Sequence, residues 1–269
     1  MPFTPSHAVI ALPFLRTPLV PAAIAIGAMT PDLPLFLRGF GVTYSFTHTY
    51  ANVVWTAVVA FGLFLLWRVV LRPVAGELSP GWLARRLPTD WDETGSAALN
   101  DALGIGRRKT YGLWLAASLL LGVVSHLLWD AFTHEGRFGL TLLPALADQW
   151  GPLQGYKWLQ HGSSVVALLV LGICALIWLR RAEPRSLGAR RLRPWVRVVW
   201  WLSLPVVLLA AWCIGYVMLG PFTSQFTIQH LAYRTLPAAC GIWAMLTLAL
   251  CVGLTIVGRP KPTGAVPRS

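Results

Sequence analysis

Three residues near the middle of this chain have the types and spacing of a metal site. His126, Asp130 and His134 stand at i, i+4 and i+8 within Ser125-His126-Leu127-Leu128-Trp129-Asp130-Ala131-Phe132-Thr133-His134. On an α-helix they share one face, each step rising about 6 Å. His126 and Asp130 can share one ion and Asp130 and His134 another, but the two histidines lie about 12 Å apart along the axis, too far for a single ion. Asp130, with two carboxylate oxygens, is placed to bridge two metals. Imidazole and carboxylate without thiolate suit Zn²⁺, Mn²⁺, Fe²⁺ or Ni²⁺ over softer ions. Such ions acidify a bound water towards about pKa 7 and polarise phosphoryl or acyl oxygens. Taken singly, a His or Asp at a helix end is an ordinary cap or interhelical hydrogen bond. The three together point to a metal.

The elements that must position these residues are membrane spans. The chain has 269 residues, 56% hydrophobic and 12% charged, about half the charged fraction usual in a soluble domain (~25%). Apolar runs near Ala51–Leu71, Tyr111–Thr133, Gly162–Leu179, Val198–Leu219 and Leu236–Val257 approach the roughly 20 residues that cross a bilayer core. A sixth apolar region, His7–Leu37, is broken by Pro13, Pro18, Pro21, Pro31 and Pro34. It reads either as a helical hairpin, Pro5–Leu15 and Leu19–Thr30 joined at Arg16–Pro18, or as one kinked span. The fold class is all-α, a polytopic transmembrane helical bundle of five full spans plus this N-terminal element. No basic segment with a small-residue cleavage site precedes a clean apolar run, so the chain is expected to enter the membrane through its own helices.

The net charge of +12 does not indicate nucleic acid. Arg180, Arg181, Arg185, Arg190, Arg191, Arg193 and Arg197 crowd one connection between two spans, and cytoplasmic loops hold such excess. Threading outward makes 72–109 a cytoplasmic loop with one short surface helix and the tail 259–269 cytoplasmic and disordered. Residues 1–258 then form a single membrane domain. Cys174, Cys213, Cys240 and Cys251 fall inside spans without CxxC spacing and read as small hydrophobes. In this topology the helix ends carrying Asp32, His48, His134 and His161 all point to the extracytoplasmic face of the cell's inner or plasma membrane. Ionisable groups in spans are costly and mark function by default. Arginine distribution and ligand position, read independently, agree. Arg137, Lys157 and Gln160 lie on the same face and are candidates for holding an anionic head group; His230 reads as interfacial or structural.

The ordered motifs Met1-Pro2-Phe3-Thr4-Pro5-Ser6-His7, Gly27-Ala28-Met29-Thr30-Pro31-Asp32, Thr47-His48, Ser125–His134 and Gln160-His161 resemble the bacterial DUF4184 membrane proteins over most of the chain. More distantly the pattern is similar to the YdjM-like (DUF457) membrane proteins, classed as metal-dependent hydrolases, and to the zinc-dependent phospholipase C and P1 nuclease group. That resemblance implies one metal held by Asp32, His48, His126 and Asp130, and a second held by His7 and bridged by Asp130. His134 and His161 would correspond to a third site, but Val165 stands where the soluble enzymes carry a Glu, so two ions, Zn²⁺ by the resemblance, are expected. The resemblance also favours the hairpin, because His7 must meet Asp32. The function expected is hydrolysis of phosphoester bonds in a lipid or membrane-associated substrate, with Asp32 and Asp130 at the chemistry. A metal transporter or sensor, or a structural membrane protein stabilised by metal, would use the same ligands without chemistry.

Overall fold

A computed structural model describes residues 3–257 except position 40; the tail 259–269, expected to be disordered, lies outside the described residues. Five helices are long and apolar enough to cross a membrane: Tyr50–Leu78, Tyr111–Thr133, Gly155–Arg181, Pro194–Leu219 and Ile228–Ile256, here the first to fifth spans. The protein is a multi-pass helical membrane protein. Its outward side chains fit that solvent: Val206 and Leu209 on the fourth span are 62% and 64% exposed, which contact with lipid tails accounts for. The chain divides into two compact units, one drawn from residues up to Leu66 and Asn100–Arg181, the other from Trp67–Leu99 and the chain from Ala182 onward.

In the first unit the N-terminal region is a hairpin, not a kinked span. A 3-10 helix covers Thr4–Phe14 and an α-helix, α1, covers Pro21–Met29, and the two pack together. With 11 and 9 residues, they extend about 22 Å and 14 Å at roughly 2.0 and 1.5 Å per residue, short of a bilayer core of about 30 Å. A non-spanning helix must satisfy its ends inside protein. The Val20 N–H at the start of α1 donates to Ser118 Oγ at 2.9 Å, and Pro21 at the first turn has no N–H to satisfy. Packing of α1 on the second span is backbone to backbone. A Cβ on Gly27 would sit 2.5 Å from the Leu119 carbonyl oxygen, and one on Gly122 would press still closer on that of Ile24. Small residues are what permit such an approach. Around it Ala23, Ala57, Phe64, Leu115, Leu119 and Val123 form the buried cluster.

The second unit explains why the first span outruns its apolar stretch. Its helix passes a π-turn at Trp67–Leu71 and continues through Arg72–Leu78, where the sequence, meeting Arg72 and Pro73, reads a loop. The Arg72 side chain is 2% exposed, and its guanidinium donates to Asp90 Oδ2 and to the Asp90 carbonyl, both at 3.0 Å. Beyond it come short helices at Gly81–Ala84, Thr89–Asp92 and Gly95–Leu103, more structure than the one surface helix expected. The arginine-rich connection folds onto the same region. The Arg191 N–H donates to Glu77 Oε2 at 3.0 Å, the Arg190 guanidinium to the Glu77 carbonyl at 3.0 Å, and the Arg185 N–H to the Arg85 carbonyl at 2.8 Å. Val74, Leu78 and Cys251 are the buried core there. All four cysteines are free.

Candidate metal centre

The first unit brings the chemistry-bearing residues together at one end of the second span. His126 and Asp130 project from its last turns, Asp32 from the 3-10 turn that follows α1, His48 from the end of a short helix at Tyr44–Thr47, and His7 from the first 3-10 helix. All five residues are buried: His7 8%, Asp32 2%, His48 4%, His126 0% and Asp130 3% exposed. Thr47 helps assemble them, its hydroxyl donating to the Pro31 carbonyl at 2.7 Å.

Three ligand atoms, from His48, His126 and Asp130, converge on one point, with Asp32 Oδ1 close to the two imidazoles. His48 Nε2 lies 3.3 Å from His126 Nε2, 3.5 Å from Asp130 Oδ2 and 3.8 Å from Asp32 Oδ1. His126 Nε2 lies 3.4 Å from Asp130 Oδ2 and 3.8 Å from Asp32 Oδ1. Metal–ligand bonds of about 2.0–2.2 Å in a tetrahedron put the ligands about 3.3–3.6 Å apart. The separations among His48, His126 and Asp130 fall in that range, and the two to Asp32 lie just beyond it. Two groups of three therefore have the donor types and spacing to hold a metal ion: His48, His126 and Asp130, and His7, Asp32 and His126, with His126 common to both.

Three of these donors are turned inward by a second contact on the far side. The Nδ1–H of His126 donates to the Ala28 carbonyl at 2.7 Å and that of His48 to the Tyr44 carbonyl at 3.0 Å, which leaves both Nε2 atoms with lone pairs. Two bare imidazole lone pairs at 3.3 Å repel unless a proton or a metal ion lies between them. Thr4 Oγ1 donates to Asp32 Oδ2 at 2.7 Å and leaves Oδ1 for the centre. Such outer partners are what orient metal ligands.

A second position lies on the other side of Asp130. His7 Nε2 is 3.9 Å from Asp130 Oδ1, and both atoms are buried without a hydrogen-bond partner. Leaving a buried polar atom unmet costs about 1–3 kcal/mol, and here two such atoms face each other. The His7 ring stacks on His126 at 4.0 Å between centroids. Burial, with His126 next in effect, lowers the His7 pKa to about 3, so its imidazole is neutral and able to ligate. Burial raises the Asp32 carboxyl above the usual range, against the pull of His126 and the Thr4 hydroxyl. His134 Nδ1 reaches Asp130 Oδ1 at 3.5 Å, as the i, i+4 spacing predicts, from an extended residue that ends the helix. Burial lowers its pKa, with Asp130 opposing. Its side chain, 18% exposed, is the most accessible of the group.

His161 is not brought to the cluster. It is exposed on the third span, and among the described residues no contact joins it to the other ligands. Gln160 takes the place beside His134, its amide nitrogen 3.2 Å from His134 Nε2 while the side chain is buried. Ser164 continues this edge, donating to the Gln160 carbonyl at 2.9 Å and accepting from the Phe3 N–H at 3.1 Å. Thr4, Tyr44 and Ser164 carry supporting roles that the sequence does not announce. Thr4 stands within the first motif, and its spacing from His7 is the available signal. Arg137 and Lys157 are half-buried. His230 caps its own helix, its Nδ1 accepting from the Thr227 N–H at 3.2 Å.

The family model for a domain of unknown function, DUF4184, matches residues 1–258. The chain belongs to the DUF4184 family. No curated protein and no solved structure matches it. The DUF4184 match contains the whole candidate centre, from Thr4 to Ser164, and both compact units up to residue 258. Similarity to the YdjM-like proteins and to the phospholipase C and P1 nuclease group stands on the sequence motifs alone.

Proposed function

We propose that this DUF4184 protein is a membrane-embedded, metal-dependent hydrolase of phosphoester bonds in a lipid or membrane-associated substrate. The observation that carries the reading is the pair of buried atoms without a hydrogen-bond partner among the described residues, His7 Nε2 and Asp130 Oδ1, beside the group of His48, His126 and Asp130. A cage of Asp32, His48, His126 and Asp130 alone would be a closed site, and closed sites are structural. The second position has fewer protein donors, His7 and Asp130 with His134 at its edge, so it keeps places for water and substrate. A Zn²⁺ ion bound there would supply an acidified water and a Lewis acid for a phosphoryl oxygen.

The chain's own groups do the remaining work. Asp130 would hold both positions through its two oxygens. Asp32, its Oδ2 accepting from the Thr4 hydroxyl, would serve through Oδ1 as a ligand or as a general base. His134 and Gln160 line the most accessible edge, by which a phosphate ester would enter. The arginine-rich connection favours a cytoplasmic location for 180–197, which makes this end of the bundle extracytoplasmic. The test is metal analysis of detergent-purified protein by mass spectrometry, then incubation of the loaded protein with phospholipids in mixed micelles. Two ions per chain and release of a phosphorylated head group are expected. Two ions without turnover would leave a structural metalloprotein, and no ions would remove the centre.

A further inference from the structure

At the other end of the second span an apolar groove of about 390 Å³ opens in the first unit. Val54 and Phe61 of the first span form one wall, and Gly112, Ala116 and Leu120 of the second span form the other, with Leu103 at its mouth. Gly112 and Ala116 are exposed, and a Cβ on Gly112 would meet nothing within 4 Å. The groove uses the first half of this helix and the metal centre the last turns, so the two features are separate.

A basic turn joins two of the residues that line the groove, Leu103 and Gly112. Arg107, Arg108 and Lys109 sit between Leu103 and Gly112, all three exposed. Arg107 pairs with Asp101, and its guanidinium lies 5.2 Å from the Tyr111 ring centroid. Tyr111 in turn donates its hydroxyl to the Ala102 carbonyl at 3.2 Å, which holds this turn against the helix end. Arg108 and Lys109 make no ion pair with any described residue. An apolar slot beside such a turn, on a helix that crosses the bilayer, has the chemistry of an acyl chain joined to a phosphate. A second copy of the chain would fit poorly, since it would bring its own Arg108 and Lys109 to a like-charged turn.

We propose that this groove is a binding site for one anionic phospholipid, an acyl chain lying between the first and second spans and the phosphate at Arg108 and Lys109. Basic clusters beside a span attract anionic lipid at about 1 kcal/mol per Lys or Arg. Removing two should therefore cost about thirtyfold in preference for an anionic over a zwitterionic lipid.

The experiment is native mass spectrometry of the full chain in mild detergent, titrated with phosphatidylglycerol or phosphatidylethanolamine. Wild type should retain one phosphatidylglycerol under conditions that strip phosphatidylethanolamine. Gly112→Leu and Ala116→Phe, which fill open space, should lose that lipid while keeping the wild-type melting temperature. Arg108→Gln with Lys109→Gln should bind both lipids alike. Equal retention of the two lipids by wild type, unchanged retention in the filled-groove variants, or a dimer in place of the lipid adduct would each overturn the proposal. Metal content is read from the same spectra, so failure here is distinguishable from failure of the hydrolase reading.

Discussion

Asp130 stands between two sets of nitrogen donors, with Oδ2 facing His48 and His126 and Oδ1 facing His7 and His134. Asp130→Ala should therefore lose both ions, whereas His134→Ala should retain at least one, as metal analysis will read. Full occupancy in the Asp130 variant would end the bridging role. His7→Ala should weaken the second ion only and leave the first near stoichiometric. Thr4→Val tests the outer partners: it frees Asp32 Oδ2, and loss of such a contact typically lowers metal affinity about 10–100-fold. The candidate residues themselves are legible in the sequence because ionisable groups in apolar surroundings are expensive enough to need a reason. What orients them is not. The Ala28 and Tyr44 carbonyls that fix the two imidazoles belong to the backbone, and no residue type announces which carbonyl will be near. His161 shows the converse, a histidine in a plausible position whose helix face turns it outward.

The packing of α1 on the second span sets the depth at which the N-terminal ligands meet the others. Gly122→Ala would drive a methyl into the Ile24 carbonyl and place it 2.7 Å from the Ala28 nitrogen, and neither is a side chain that can turn away. We expect α1 to shift, with destabilisation of about 1–3 kcal/mol, a lower melting temperature and weaker metal retention, since Ala28 also holds His126. Gly62→Ala on the first span, which meets nothing within 4 Å, is the control that should leave both unchanged. The five spans can be read from length and hydropathy, and Tyr111–Thr133 agrees at both ends. The first span cannot be bounded that way, because Arg72 and Pro73 break the apolar run while Asp90 accepts from both terminal nitrogens of the buried guanidinium from eighteen residues away. The prolines of the N-terminal region are likewise compatible with a hairpin or a kinked span; it is the packing of its two short helices on each other that decides.

Across the whole molecule the distribution of basic residues predicts an orientation. Cysteine-accessibility labelling in intact cells should modify Trp150→Cys, in the connection after the metal centre, and leave Gly188→Cys protected until the membrane is opened. Both positions are exposed, so a reversed pattern would invert the topology. An N-terminal tag should report on the same side as position 150. The hairpin has a further consequence for how the protein is made. Ala28 meets His126 across 98 residues of chain, and neither helix of the hairpin is long enough to anchor itself. As the chain is synthesised, His7, Asp32 and His48 leave the ribosome long before the helix that completes their centre. A chain cut before Tyr111 carries three of the ligands and nothing for them to close on. On the proposed reading, metal capture would then be a late step of assembly, one that locks the beginning of the chain onto its middle after the spans are in place.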